Sequence, residues 1–248
     1  MRVLLLGGTS EATELARSLA DARVDAVISL AGRTARPAPQ PLPVRSGGFG
    51  GADGLAAHLR AERIDAVVDA THPFAANISR NAEAAAAAVG VPLLVLRRPP
   101  WVAVAGDRWT HVPDVPAAAV ALGPLPRRVF LTTGRLELAP FAAAGWHRYV
   151  LRSVEPPDPG LLPRAKIIVA RGPFAEADER QLMTELGIEV VVTKNSGASA
   201  TGAKLAAARA LGLPAVMVDR PPPGAAETVE TVAEAMAWLA RHAALRGA

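Results

Sequence analysis

Residues Val3-Leu4-Leu5-Leu6-Gly7-Gly8-Thr9-Ser10-Glu11 constrain the fold more than any other stretch of this 248-residue chain. A short, wholly apolar run suits a central parallel strand buried on both faces. Two glycines follow at once, then two hydroxyl residues, then a helical pattern from Glu11 to about Ala20. Strand, tight turn and helix N-terminus in this order make a site for phosphate, because the first N–H groups of a helix lack partners and the dipole is positive there. Gly7 and Gly8 allow close backbone approach, and Thr9 or Ser10 caps the helix. The full Gly-x-Gly-x-x-Gly fingerprint is incomplete, with Ala12 in the place of the third glycine. A structural turn that binds nothing fits the same residues.

Half of the residues are hydrophobic, enough for one large or two ordinary α/β cores. The net charge of +4 comes without Lys/Arg runs or basic–aromatic interleaving, so nucleic-acid binding is not expected. There is no cysteine, which excludes disulfides, thiolate catalysis and Cys-ligated metals. The other histidines, His58, His111, His147 and His242, are scattered, and no metal site is expected. The first apolar run is too short for a signal peptide and no stretch has membrane character, so the expected setting is cytoplasmic, away from membranes.

Asp25–Leu30 reads as a second strand ending in Ala31-Gly32-Arg33-Thr34. In dinucleotide folds an acid at this end holds the ribose of NAD, and an arginine accommodates the 2′-phosphate of NADP. Arg33 and Thr34 stand there with no acid, which points to NADP(H) if the first loop binds a dinucleotide; a solvated arginine is the alternative. Val44–Ser46 leads into the glycine-dense Gly47-Gly48-Phe49-Gly50-Gly51. Ile64–Ala70 is a strong strand ending in Thr71-His72-Pro73, where ligands gather in doubly wound sheets. His72 can contact a ligand, donate a proton, or simply cap the next helix.

After Pro92–Leu96, the Pro-rich Arg97-Arg98-Pro99-Pro100-Trp101 marks an interdomain crossing, giving domains 1–100 and 101–248. The second half repeats the α/β alternation, with a final strand at Ala215–Asp219 and a terminal helix over Glu227–Ala244. Four of its strand ends carry Thr133-Gly134-Arg135, Arg152-Ser153, Arg171-Gly172 and Lys194-Asn195-Ser196. Their convergent positive charge predicts an anionic ligand.

Several motifs now stand in order: Gly7-Gly8-Thr9-Ser10-Glu11-Ala12, Ala31-Gly32-Arg33-Thr34, Gly47–Gly51, Asp69-Ala70-Thr71-His72-Pro73-Phe74-Ala75, Arg98-Pro99-Pro100-Trp101, Thr133-Gly134-Arg135, Arg171-Gly172-Pro173-Phe174 and Lys194-Asn195-Ser196-Gly197. Together they resemble the precorrin-6A and cobalt-precorrin-6A reductases of cobalamin biosynthesis over nearly the whole chain. One departure follows Gly197, where the family's further glycines are replaced by Ala198-Ser199-Ala200 before Thr201. The resemblance implies two Rossmann-like or flavodoxin-like parallel-sheet domains with the active site in the cleft between them. It implies NADPH-dependent reduction of a corrin-precursor double bond, hydride going to C19 and a proton to C18. The product would pass to neighbouring pathway enzymes.

On this reading Gly7, Gly8, Thr9 and Ser10 hold the cofactor's pyrophosphate, Glu11 is a further cofactor-binding residue, Arg33 and Thr34 take its 2′-phosphate, and Thr71, His72 and Pro73 its nicotinamide side. The carboxylate-rich tetrapyrrole meets Gly48, Phe49, Thr133, Arg135, Arg152, Arg171, Lys194, Asn195, Ser196, Thr201 and Lys204. His72 is the candidate proton donor; Glu11, at a helix N-terminus, is a poorer acid, and water is a further source. A non-catalytic two-domain protein that binds an anionic small molecule is the rival reading. A short-chain reductase is not, because the single tyrosine, Tyr149, has Ser153 rather than lysine four residues on.

Overall fold

The computed structural model describes residues 1–32, 38–162 and 164–247. It divides into two compact units, Met1–Pro99 with Pro222–Ala248, and Pro100–Pro221.

In the first unit the apolar run becomes β1 (Arg2–Leu6), flanked by β2 (Asp25–Leu30) and β4 (Ala66–Asp69), all parallel. Side chains alternate across a strand, so β1 feeds two cores. Val3 and Leu5 join a cluster with Leu15, Leu19 and Trp238. Leu4 and Leu6 join one with Leu55, Leu59 and Ala85 on the opposite face. These partners come from α1 (Ser10–Asp21) and α8 (Val232–Gly247) on one side, and α2 (Gly51–Ala61) and α3 (Ala76–Val89) on the other. Both faces of the sheet are therefore covered, which is why β1 lacks polar residues after Arg2. Helix α1 buries Ala12, Leu15, Ala16 and Leu19, the spacing of one helical face. Each fully buried leucine stabilises the fold by roughly 1.5–3 kcal/mol.

With β3 (Val44–Ser46), β5 (Leu93–Leu96) and β12 (Glu227–Val229), the first sheet runs β3-β2-β1-β4-β5-β12. The second comprises β6 (Trp109–Val112), β7 (Arg128–Thr132), β8 (Arg148–Ser153), β9 (Lys166–Val169), β10 (Val190–Lys194) and β11 (Ala215–Val218), ordered β9-β8-β7-β10-β11-β6. Its helices are α4 (Val115–Ala121), α5 (Ala139–Ala143), α6 (Glu176–Glu185) and α7 (Ala203–Ala210). Each order is the dinucleotide-fold order 3-2-1-4-5-6. The sixth strands are exchanged, however. β6 follows β5 in the chain yet pairs with β11, and β12 follows β11 yet pairs with β5.

The expected second domain of 101–248 thus differs from the structure. The chain crosses at Pro99-Pro100 and again at Pro221-Pro222, so residues 222–248 belong with the first sheet. The expected helix from Glu227 is a strand followed by a helix, because the open edge of β5 supplies partners for Glu227–Val229. Helix α8 starts after a capping box. Thr231 Oγ1 accepts from the Glu234 N–H at 3.2 Å, and the Glu234 carboxylate accepts from the Thr231 N–H at 3.0 Å. Among the described residues no helix is long and apolar enough to cross a membrane.

Candidate active site

In the first unit the strand order reverses direction between β1 and β4, and their carboxyl ends form one layer. Gly7 donates its N–H to the Ser29 carbonyl at 2.9 Å. A Cβ on Gly7 would lie 2.7 Å from Ile28 Cδ1, so only glycine lets the turn close over β2. Gly8 has φ +128°, outside the range of ordinary side chains. Thr9 is the N-cap: its hydroxyl accepts from the Ala12 N–H at 3.1 Å and donates to the Ala70 carbonyl at 2.8 Å. One side chain therefore caps α1 and ties the β1 end to the β4 end.

The β4 end is ordered by Asp69, a buried carboxylate that stands in the quoted motif but to which the sequence reading gives no role. It accepts from the Thr71 N–H at 3.0 Å, from the Thr71 hydroxyl at 2.6 Å, and from the Ser79 hydroxyl on α3. His72 Nδ1 accepts from the Phe74 N–H at 3.3 Å. With Nδ1 accepting, the neutral ring carries its proton on Nε2. Thr9, Glu11, Thr71 and Pro73 line one small cleft with Leu96, Arg97 and Arg98. Expected neighbours of the cofactor thus come together, joined by two arginines that had not been assigned to it. Arg98 forms an ion pair with Glu11, and the Ser10 hydroxyl donates to the same carboxylate at 3.0 Å. Arg97 Nε is buried without a hydrogen-bond partner. Arg33 and Thr34, the expected 2′-phosphate residues, lie outside the described residues.

Gly48 and Phe49, expected against substrate, sit at the end of β3 on the same sheet. Arg45 organises them. Its guanidinium donates to the Gly47 and Gly48 carbonyls at 2.6 and 2.8 Å and lies 3.7 Å from the Phe49 ring centre.

In the second unit the expected positive rim is mostly neutralised. Arg135 pairs with Glu155 at 3.2 Å and Lys194 pairs with Glu137. Arg152 is engaged inside the unit. It is buried, its guanidinium holds Glu179 of α6 with a second contact of 3.1 Å, and it lies between the Phe130 and Phe174 rings at 4.9 and 3.7 Å. A charge taken from water needs a partner close by, and Glu179 provides it. Arg171 is exposed.

Asn195 is engaged by its own chain. Its Oδ1 accepts from the Trp101 N–H at 2.7 Å and its Nδ2 donates to the Trp101 carbonyl at 3.1 Å. Lys204 is buried, donating from Nζ to the Thr201 carbonyl at 2.6 Å, with Trp101 stacked at 4.6 Å. Burial pushes its ammonium down to about 7, Arg152 adding to the push and Glu179 opposing it. Asn195 and Lys204 therefore build the strand end from within. The Ser196 hydroxyl accepts from the Ala198 N–H and the Thr201 hydroxyl donates to the Ala198 carbonyl, both at 3.5 Å. The Thr133 hydroxyl at the β7 end is buried without a partner. In the loop that departs from the family pattern, only Gly197 has a positive φ, +71°, while Ala198 has φ −71°. Alanine and serine therefore occupy positions 198–200 without strain.

Residues 2–240 match the family model described as "Precorrin-6x reductase CbiJ/CobK". The chain belongs to this family. It is 56% identical to the precorrin-6A reductase of Sinorhizobium sp over 96% of this chain and 94% of that one. It is 51% identical to that of Rhodobacter capsulatus over 98% and 97%. A solved structure of CobK precorrin-6A reductase superposes with a TM-score of 0.93 at 51% identity, covering 98% of this chain and 97% of the other. A cobalt-precorrin-6A reductase, from Priestia megaterium, is further off at 32% over 88% of this chain and 90% of that one. Membership makes this chain a reductase on two parallel α/β sheets.

Proposed function

We propose that the chain is a precorrin-6A reductase that uses NADPH to reduce one double bond of the macrocycle, with hydride going to C19 and a proton to C18, yielding precorrin-6B. The observation that carries this reading is the identity gap: 51–56% to reductases of cobalt-free precorrin-6A against 32% to the cobalt-precorrin reductase.

The first unit fits a dinucleotide. Its strand order matches, Gly7 packed on Ile28 keeps the turn tight over β2, and the first turn of α1 offers N–H groups beside a cap. NADPH supplies the hydride, so the chain needs no nucleophile. Gly7, Gly8, Thr9 and Ser10 bind the pyrophosphate, and Arg98, turning from Glu11, adds a charge-assisted contact. Arg33 and Thr34 take the 2′-phosphate. Thr71, held by Asp69, and Pro73 orient the nicotinamide, and His72 presents the proton on Nε2. Arg171, Arg135 and Lys194 meet the carboxylates of the macrocycle, while Arg152 is kept from them by Glu179.

Incubation with precorrin-6A and NADPH deuterated at the transferred position should place deuterium at C19. No NADPH-dependent change of the precorrin, or label elsewhere, defeats the reading. The cofactor is tested separately by calorimetry on Arg33→Ala: NADPH affinity falls ten-fold or more, as loss of an arginine–phosphate bond of roughly 1.5–3 kcal/mol requires, and NADH affinity barely changes. Equal losses for both nucleotides remove Arg33 from the 2′-phosphate.

A further inference from the structure

Both passages of the chain between its units are tied to one place in the second unit. The first runs Arg98-Pro99-Pro100-Trp101 and the second Arg220-Pro221-Pro222-Pro223. Asn195, directly after β10 and only 6% exposed, holds Trp101 through both ends of its amide, as described above. The Asn195 carbonyl accepts from Arg220 Nε at 2.8 Å, and the Ser196 carbonyl accepts from the same guanidinium at 3.0 Å. Trp101 is gripped further. Lys204 lies under its ring, and the absent Cβ of Gly202 would stand 3.4 Å from its Nε1. The ties abut the prolines, since Trp101 follows Pro100 and Arg220 precedes Pro221. Proline fixes φ and has no N–H, so little freedom separates each tie from its crossing.

We propose that the Asn195-Ser196 turn moors both crossings to the carboxyl end of β10, with Asn195 as its positioning residue: the first crossing is held by the Asn195 amide and the second by the main-chain carbonyls of Asn195 and Ser196, so that the order of this strand end sets the order of the crossings. The link to catalysis rests on the substrate reading of this strand end given above. Strand ends at the reversal of order are where doubly wound sheets take ligands, so both crossings are anchored at the end of the sheet that takes the ligand. The asparagine amide matches the peptide of Trp101 as donor and acceptor together. Aspartate keeps only the acceptor, and alanine keeps neither.

The test is hydrogen exchange by mass spectrometry on the full chain for wild type, Asn195→Asp and Asn195→Ala, with steady-state kinetics and NADPH binding on the same samples. Asn195→Ala keeps the carbonyls that hold Arg220, so exchange rises over 99–104 directly and over 218–224 because the turn presenting those carbonyls loosens, while β1, β4 and β5 keep their protection. Asn195→Asp falls between the two. The kcat of Asn195→Ala drops on the order of ten-fold, as misplacement of a strand end that positions substrate predicts, and the NADPH Kd stays within about two-fold. Faster exchange confined to 99–104, or loosening of both crossings with unchanged kcat, overturns the proposal. If Asn195→Ala fails to fold, as loss of protection in β7 and β8 would show, the comparison of wild type with Asn195→Asp decides. If wild type reduces no precorrin-6A, the functional reading fails by itself and exchange at 218–224 alone decides the mooring.

Discussion

Thr9 shows how much one side chain can carry. Its hydroxyl caps α1 and spans to the Ala70 carbonyl at the next strand end. Thr9→Ala removes both bonds and should cost about 1–2 kcal/mol, seen as a lower urea midpoint with an unchanged slope. Gly7→Ala acts by crowding instead. Its new Cβ meets Ile28 within 2.9 Å at two atoms, and Ile28 is fully buried, so a loss of roughly 1–3 kcal/mol is expected. Lys204 gives a pH signature. Unfolded, it holds its proton up to about 10.5, and folded, it releases it near 7. Between these values the unfolded state binds more protons, so stability rises with pH, by at most ~1.4 kcal/mol per pH unit. Chemical denaturation from roughly pH 7.5 to 9.5 should show that rise in wild type and a shallower one in Lys204→Met. Glycines at a turn announce themselves in sequence because their backbone freedom is specific to them. Asn195, Arg152 and Lys204 do not, since a polar residue at a strand end, or in the helix that follows one, looks the same whether it faces a ligand or its own chain.

Between elements, the strongest polar tie described is Arg152 of β8 with Glu179 of α6. Glu179→Ala leaves a buried guanidinium without its partner and should destabilise by about 3–5 kcal/mol. The double replacement Arg152→Met with Glu179→Leu should recover most of that loss, because an apolar pair of similar volume costs no desolvation. A double-mutant cycle in urea that shows simple additivity would contradict this. Strands β1, β4, β7 and β10 are readable directly, because burial on both sheet faces demands apolar runs, and α1 is readable from the spacing of its one buried face. Strand β12 is not. Glu227-Thr228-Val229 has no apolar run and becomes a strand only because β5 offers it an edge. The helix start after it was readable, in Thr231-Val232-Ala233-Glu234.

For the whole molecule, the exchange of sixth strands makes the two units unequal as pieces of chain. Residues 100–221 contain every strand of the second sheet, whereas residues 1–99 lack β12 and α8. Expressed alone, 100–221 should fold cooperatively. Residues 1–99 should not, since they would leave the β5 edge unpaired and the α1 face without Trp238 and Leu239. Cooperative thermal unfolding of 1–99 by circular dichroism would refute this. Local pattern alone determined the α/β class, the parallel sheets, the glycine turn over α1 and the strand ends that carry polar residues, because each follows from burial period, backbone freedom or a break in the apolar run. Only tertiary structure decided which strand completes which sheet, which cations are already paired, and that Asn195 faces Trp101. Those outcomes depend on contacts between residues far apart in the chain, which no local pattern records.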